Sequence, residues 1–162
     1  MAVRQRFEGE YAHLFATTGY GTTIWSPLCS GLLTGKYNEG EIPEGSRFAM
    51  QKNLGRIFDR FFGEGKKEKT IAMFKSIKAI ADELGCTQAQ LALAWSIANK
   101  DTSVALCGFT KMEQFHDNIG ALNVLAKWSP ELEAKIEKAL GNMPEGEMNF
   151  RERTMIPNRR TS

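Results

Sequence analysis

The chain contains no unbroken apolar run of about 18 residues, the length that a membrane-spanning helix requires. Its first residues also lack the apolar core of a secretory leader. Membrane insertion is therefore not expected, and the expected compartment is cytoplasmic. Cysteine is scarce: Cys29, Cys86 and Cys107 are far apart and odd in number, with no C-x-x-C pair. The two histidines, His13 and His116, are too distant to form a His-x3–5-His pair. That pattern suggests neither a zinc site nor a disulfide framework. An excess of one charge is missing too, because 21 Lys and Arg against 19 Asp and Glu leave a net charge of +2. A nucleic-acid partner calls for a basic face with stacking aromatics beside it. The one dense basic pair, Arg159-Arg160, has neither and reads as a solvated tail.

What remains is the composition of an ordinary globular domain, 42% hydrophobic and 25% charged over 162 residues. No internal repeat is visible. Phe7, Tyr11, Leu14 and Phe15 recur at helical spacing and predict a helix from Arg4 to Thr18, stopped at Gly19. Gly21 to Ser26 reads as a strand and Pro27 to Met50 as loop. A short helix is expected from Asn53 to Phe62, and a long one from Lys67 to Leu84 with Ile71, Phe74, Ile77, Ile80, Ala81 and Leu84 as its stripe. Thr87-x-x-Gln90 fits a capping box, each side chain satisfying an orphan backbone donor, and opens an apolar helix from Ala89 to Ala98 that buries Trp95. Ser103 to Cys107 is short, uncharged and apolar, as a buried parallel strand should be. Thr110-x-x-Glu113 predicts a second capping box and a helix from Lys111 to Leu122. Ser129-Pro130 begins a last helix to Leu140, with proline at its first turn and Gly141 beyond its end. Residues 1–143 thus form one domain, and 144–162 read as an extended or disordered tail.

Strands joined through helices imply parallel pairing. Two strands do not make a stable sheet alone, so another protein, a second chain or missing sequence is expected to cover the open edge.

The most informative stretch is Thr22-Thr23-Ile24-Trp25-Ser26-Pro27-Leu28-Cys29-Ser30-Gly31-Leu32-Leu33-Thr34-Gly35-Lys36-Tyr37. A β-branched strand climbs to a flat ring and a hydroxyl, proline ends the ladder, and a small-residue loop leads to one lysine. Such a strand end offers a ring, a hydroxyl and backbone N–H groups to a phosphorylated ligand. With Ile42-Pro43, Ser46-Arg47, Ala81-x-x-Leu84-Gly85-Cys86-Thr87, Gln90-Leu91-Ala92-Leu93-Ala94-Trp95, Glu113-Gln114 and Asp117-Asn118, the chain resembles the C-terminal half of an aldo-keto reductase. The resemblance is nearest the branch of voltage-gated potassium channel β subunits, and it runs from about Arg4 to Leu140.

It implies an α/β fold, the C-terminal part of a (β/α)8 TIM barrel. The barrel would be incomplete, with about two parallel strands and surrounding helices, since a whole one needs about 250 residues. It implies NADP(H) as cofactor. Trp25 would lie against the nicotinamide. Ser26, Pro27, Leu28 and Ser30 would line ribose and pyrophosphate, and Lys36 and Arg47 would pair with pyrophosphate and the 2′-phosphate. Gly108 and Thr110 would place a phosphate at a helix N-terminus. Gln114 and Asn118 would hold the adenine edge, with Asp117, where the family usually has glutamate, beside them. Outside that motif context Lys36 and Arg47 are ordinary surface charges, Thr110 a helix cap and Trp25 a core ring.

The catalytic Asp, Tyr, Lys and His or Asn of the family lie on early strands, and nothing here matches them. Met1 falls where the family has an internal methionine. The resemblance therefore implies a mispredicted start, a retained fragment, or half of a barrel completed in trans. Two functions follow: the NADP(H)-binding portion of an aldo-keto reductase-family oxidoreductase without its catalytic half, or a non-catalytic structural or regulatory subunit of a larger assembly. A regulator like the potassium channel β subunits is a third.

Overall fold

The computed structural model describes residues 1–144, so the tail expected at 144–162 lies, but for its first residue, outside the described residues. Its strands are few, as expected. β1 (Thr22–Trp25) and β2 (Thr102–Leu106) run parallel, with Thr23 beside Val104, Ile24 beside Ala105 and Trp25 beside Leu106. Helices surround this open, two-stranded sheet on one side. The α/β architecture expected from the sequence is present.

The predicted N-terminal helix is interrupted. Gln5–Glu10 winds as a π-helical turn in which the Tyr11 N–H donates to the Arg6 carbonyl, five residues back, at 2.8 Å. Only Ala12–Thr18 (α1) is α-helical, ending at Gly19 with φ +68°. The wider turn rotates the stripe: Phe15 is buried with Phe7 against it at 5.1 Å, while Tyr11 and Leu14 are exposed.

The segment expected as loop holds a 3-10 turn at Cys29–Thr34 and a short helix α2 (Arg47–Met50), capped by the buried Ser46. α3 (Gly55–Phe62) and α4 (Lys67–Glu83) follow, then α5 (Gln88–Ala98) behind the expected capping box. α5 is buried along Gln88–Ala89 and Leu91–Ser96, nearly all round, as befits the central helix of the domain. It packs on β2, on α4, and on α7 (Ala121–Leu125). α8 (Pro130–Leu140) closes the core with Leu132, Ile136 and Leu140 against α4. Ser129 caps α8 and Gly141 stops it, both as expected.

Two further expectations are corrected. The helix predicted from Lys111 to Leu122 is two helices, α6 (Met112–Ile119) and α7, which meet at Gly120. The second strand is parallel but not buried: Val104 is 47% and Leu106 54% exposed. Ile24 and Ala105 are half-buried on the helix side, whereas no described element covers the other face of this two-stranded sheet.

Candidate functional site

Parallel register puts both strand ends at one edge. Trp25 and Leu106 are partners, so the chain leaves toward Ser26 and toward Cys107-Gly108 side by side. In α/β folds, ligands gather outside the carboxyl ends of strands. Trp25 stands at that edge with 80% of its surface open, so it is not packed as a core ring among the described residues.

The loop after β1 is folded tightly on itself. Ser26, Cys29 and Ser30 have φ of +52°, +50° and +57°, a region that costs a non-glycine residue about 1 kcal/mol or more. Internal hydrogen bonds hold it. The Cys29 N–H donates to the Ser26 carbonyl at 2.8 Å, the Ser30 N–H to Ser26 Oγ at 3.2 Å and the Gly31 N–H to the Leu28 carbonyl at 2.9 Å. The backbone donors expected to face a ligand are therefore turned inward at 29, 30 and 31, because consecutive left-handed residues curl the chain over its own carbonyls. Pro27 is buried, and Leu28 and Cys29 pack against the core. Burial pushes the Cys29 thiol above its ordinary pKa, so it stays protonated at neutral pH.

Lys36 folds back across the loop. A Cβ at Gly31 would meet its Cε at 3.5 Å and Nζ at 3.7 Å, and its ammonium lies 5.3 Å over the Tyr37 ring. Among the described residues no carboxylate pairs with it. Arg47 opens α2, which packs on the same 3-10 turn, and its guanidinium is exposed, with Gln51 Oε1 as its one partner among the described residues at 3.1 Å. Lys36 and Arg47 thus both flank the 3-10 turn, and among the described residues neither is paired with a carboxylate.

Beyond β2, Gly108 and Thr110 are exposed. The Thr110 capping box does not form. α6 begins at Met112 after an extended Lys111, with no side-chain cap. Instead Gln114 reaches back, its Oε1 accepting the Thr110 N–H at 2.9 Å. A backbone N–H can only donate, so this bond fixes the amide with Nε2 outward. Asn118 is half-buried one turn further. Asp117 turns to α5: its carboxylate accepts the Thr87 hydroxyl at 3.1 Å and Gln90 Nε2 at 2.9 Å. Sequence reasoning sees Thr87 and Gln90 only as a cap. Their tie to Asp117 spans about thirty residues, and no local pattern announces it.

The family described as Aldo/keto reductase family matches residues 1–140. A protein from Oryza sativa subsp. japonica, "Probable voltage-gated potassium channel subunit beta", is 39% identical over 150 residues, covering 91% of this chain and 44% of its own length. One of the same name from Arabidopsis thaliana is 38% identical over 151 residues, covering 93% and 44%. The chain spans less than half the length of these curated relatives.

Proposed function

The chain belongs to the aldo/keto reductase family, and on that footing we propose that it is the NADP(H)-binding C-terminal portion of an oxidoreductase of carbonyl/alcohol interconversion. The catalytic Tyr, Lys and Asp of the family lie outside it in this reading. One observation carries it: a bare indole ends one of two parallel strands, and the segments that leave the two strand ends lead to α6 and to two cations without a carboxylate partner among the described residues.

These residues fit the cofactor. The exposed face of Trp25 suits the nicotinamide ring. Lys36 and Arg47, unpaired by carboxylates among the described residues, suit pyrophosphate and 2′-phosphate. Gln114 offers a fixed Nε2 donor, and Asn118 an amide one turn on, to the adenine edge. When bound, NADP(H) supplies the hydride. No residue of this chain is assigned the proton transfer. Tyr37 is fully buried, and neither Tyr11 nor Tyr20 is hydrogen-bonded to a Lys or Asp among the described residues.

Titration of the purified chain with NADPH, read by nicotinamide fluorescence, is expected to saturate; a flat titration refutes the proposal. Trp25→Ala is expected to weaken that binding about five- to tenfold, the ~1 kcal/mol of an aromatic stack. Its unfolding free energy from urea titration should hold to within about 0.5 kcal/mol, since the ring is exposed. A loss of several kcal/mol would instead make Trp25 a core residue.

A second reading rests on the bare sheet face formed by Thr23, Trp25, Val104 and Leu106. On it the chain is a non-catalytic structural or regulatory subunit, with another protein or a second chain over the open edge. The relatives' printed name extends this to a potassium-channel regulator. Native mass spectrometry separates the readings. An 18.1 kDa chain held in a larger complex favours the second, and reductase activity from a lone chain ends it.

A further inference from the structure

Helix α6 carries the residues assigned to adenine, yet it buries none of its own side chains. Its aromatic contact is Phe115 against Phe109 at 5.1 Å, and Phe109 is itself exposed. What holds α6 to the body is polar. At the start of α5 the Thr87 hydroxyl accepts the Gln90 N–H at 3.1 Å, and Gln90 Oε1 accepts the Thr87 N–H at 3.1 Å. The same two side chains then reach across to α6. The Thr87 hydroxyl donates toward both oxygens of Asp117 at 3.1 Å, and Gln90 Nε2 donates to Asp117 Oδ1 and to its backbone carbonyl, each at 2.9 Å.

Three residues therefore close one hydrogen-bonded knot, in which both side-chain donors, the Thr87 hydroxyl and Gln90 Nε2, are aimed at Asp117. Gly120 makes room for it: a Cβ there would stand 2.3 Å from Gln90 Nε2 and 2.9 Å from Gln90 Cδ. Beyond Gly120, α7 is anchored through the buried Ala121 and Val124. Without the knot, α6 is free to swing about that junction, and Gln114 and Asn118 swing with it.

We propose that Thr87, Gln90 and Asp117 are positioning residues that set the placement of α6, and that Asp117 acts through the α5 cap instead of touching the nucleotide. The inference rests on the NADP(H) reading and deepens it. Asparagine and glutamine discriminate a purine by hydrogen bonds whose geometry tolerates little displacement. Anchoring their helix is then felt as nucleotide affinity, and specifically as affinity for the adenosine end.

The test uses the full chain, adenosine 2′,5′-bisphosphate as probe for calorimetry, and amide hydrogen exchange. Gln90→Met, close in shape but unable to donate, and Asp117→Ala are each expected to weaken binding about tenfold. The double variant should lose no more than the worse single one, because both break one knot. Exchange should quicken over residues 112–119 in each variant and stay unchanged in α8. Thr87→Ser, which keeps the hydroxyl, should bind as the unaltered chain does and guards against a general loss of fold. Normal binding by Gln90→Met beside a loss in Asp117→Ala makes Asp117 a direct ligand and overturns the proposal, as do additive losses. If the unaltered chain fails to bind the bisphosphate, the cofactor reading falls. The anchoring is then judged by exchange alone, and unchanged exchange in the variants overturns it.

Discussion

Arg4→Ala is expected to lower the unfolding free energy by about 3–5 kcal/mol, the cost of breaking a buried ion pair from one side. The Arg4 side chain is only 8% exposed. Its Nε donates to Glu8 Oε2 at 2.7 Å and its Nη1 to Glu137 Oε2 at 2.5 Å, while the guanidinium lies 5.0 Å over the Trp95 ring. Burial disfavours the charge, but hydrogen bonds to Glu137 and Glu8 outweigh it and hold the Arg4 pKa above its ordinary value. Truncation strands two carboxylates that are themselves 16% and 15% exposed. It also frees the N-terminal segment from Glu137 of α8, leaving, just beyond that helix, Asn142 Nδ2 donating to the Met1 carbonyl at 3.0 Å. Arg4→Lys keeps the charge but cannot fork between two carboxylates or lie flat on indole, so an intermediate loss is expected. Urea midpoints of the two variants measure this. A loss below about 1 kcal/mol for alanine would place the cluster among weak surface pairs.

Arg4 and Glu137 also mark where the sequence stops being legible. They are 133 residues apart, and each alone looks like an ordinary helix charge. Features governed by the nearest few residues were readable: the stops at Gly19 and Gly141, the Thr87–Gln90 box, the Ser129-Pro130 start and the α4 stripe all follow from local hydrogen bonding and period. Features set by competition between alternatives were not. The Thr110 hydroxyl loses its capping role because the Gln114 amide reaches the Thr110 N–H first, and the helix then starts one residue later. At Gly120, where the predicted helix divides, the Gln90 side chain occupies the space a Cβ would take, a contact that no local pattern announces. The apolar run at β2 correctly gave a parallel strand, but periodicity cannot say whether a partner covers it, so Val104 and Leu106 looked buried. The candidate site divides the same way. Its residue types came from motif resemblance, and the structure alone shows that the 29–31 amides turn inward and that Asp117 is engaged by α5.

Tyr37 links the fold to the site, and its two substitutions are expected to have opposite signs. The ring is fully buried and meets Phe48 edge-on at 5.3 Å, with Phe58 at 6.4 Å. Through Phe58, Phe62 and Phe74 the chain of rings runs on to α4, with spacings of 4.6 and 5.9 Å. Lys36 precedes Tyr37 and Arg47 precedes Phe48, so one aromatic contact sets the spacing of the two cations. Tyr37→Ala is expected to cost about 3–5 kcal/mol, as truncation of a large buried aromatic does. On the cofactor reading it should also weaken NADPH more than NADH, because Arg47 is the group given to the 2′-phosphate. Tyr37→Phe keeps every ring contact and removes a buried hydroxyl that finds no hydrogen-bond partner among the described residues. Leaving such a group unsatisfied costs about 1–3 kcal/mol, so this variant is expected to raise the unfolding free energy from urea titration by about 1 kcal/mol and leave the NADPH-to-NADH ratio unchanged. A loss of stability in Tyr37→Phe would reveal a partner for the hydroxyl. A ratio unmoved by Tyr37→Ala would show that the aromatic contact does not govern where Arg47 sits.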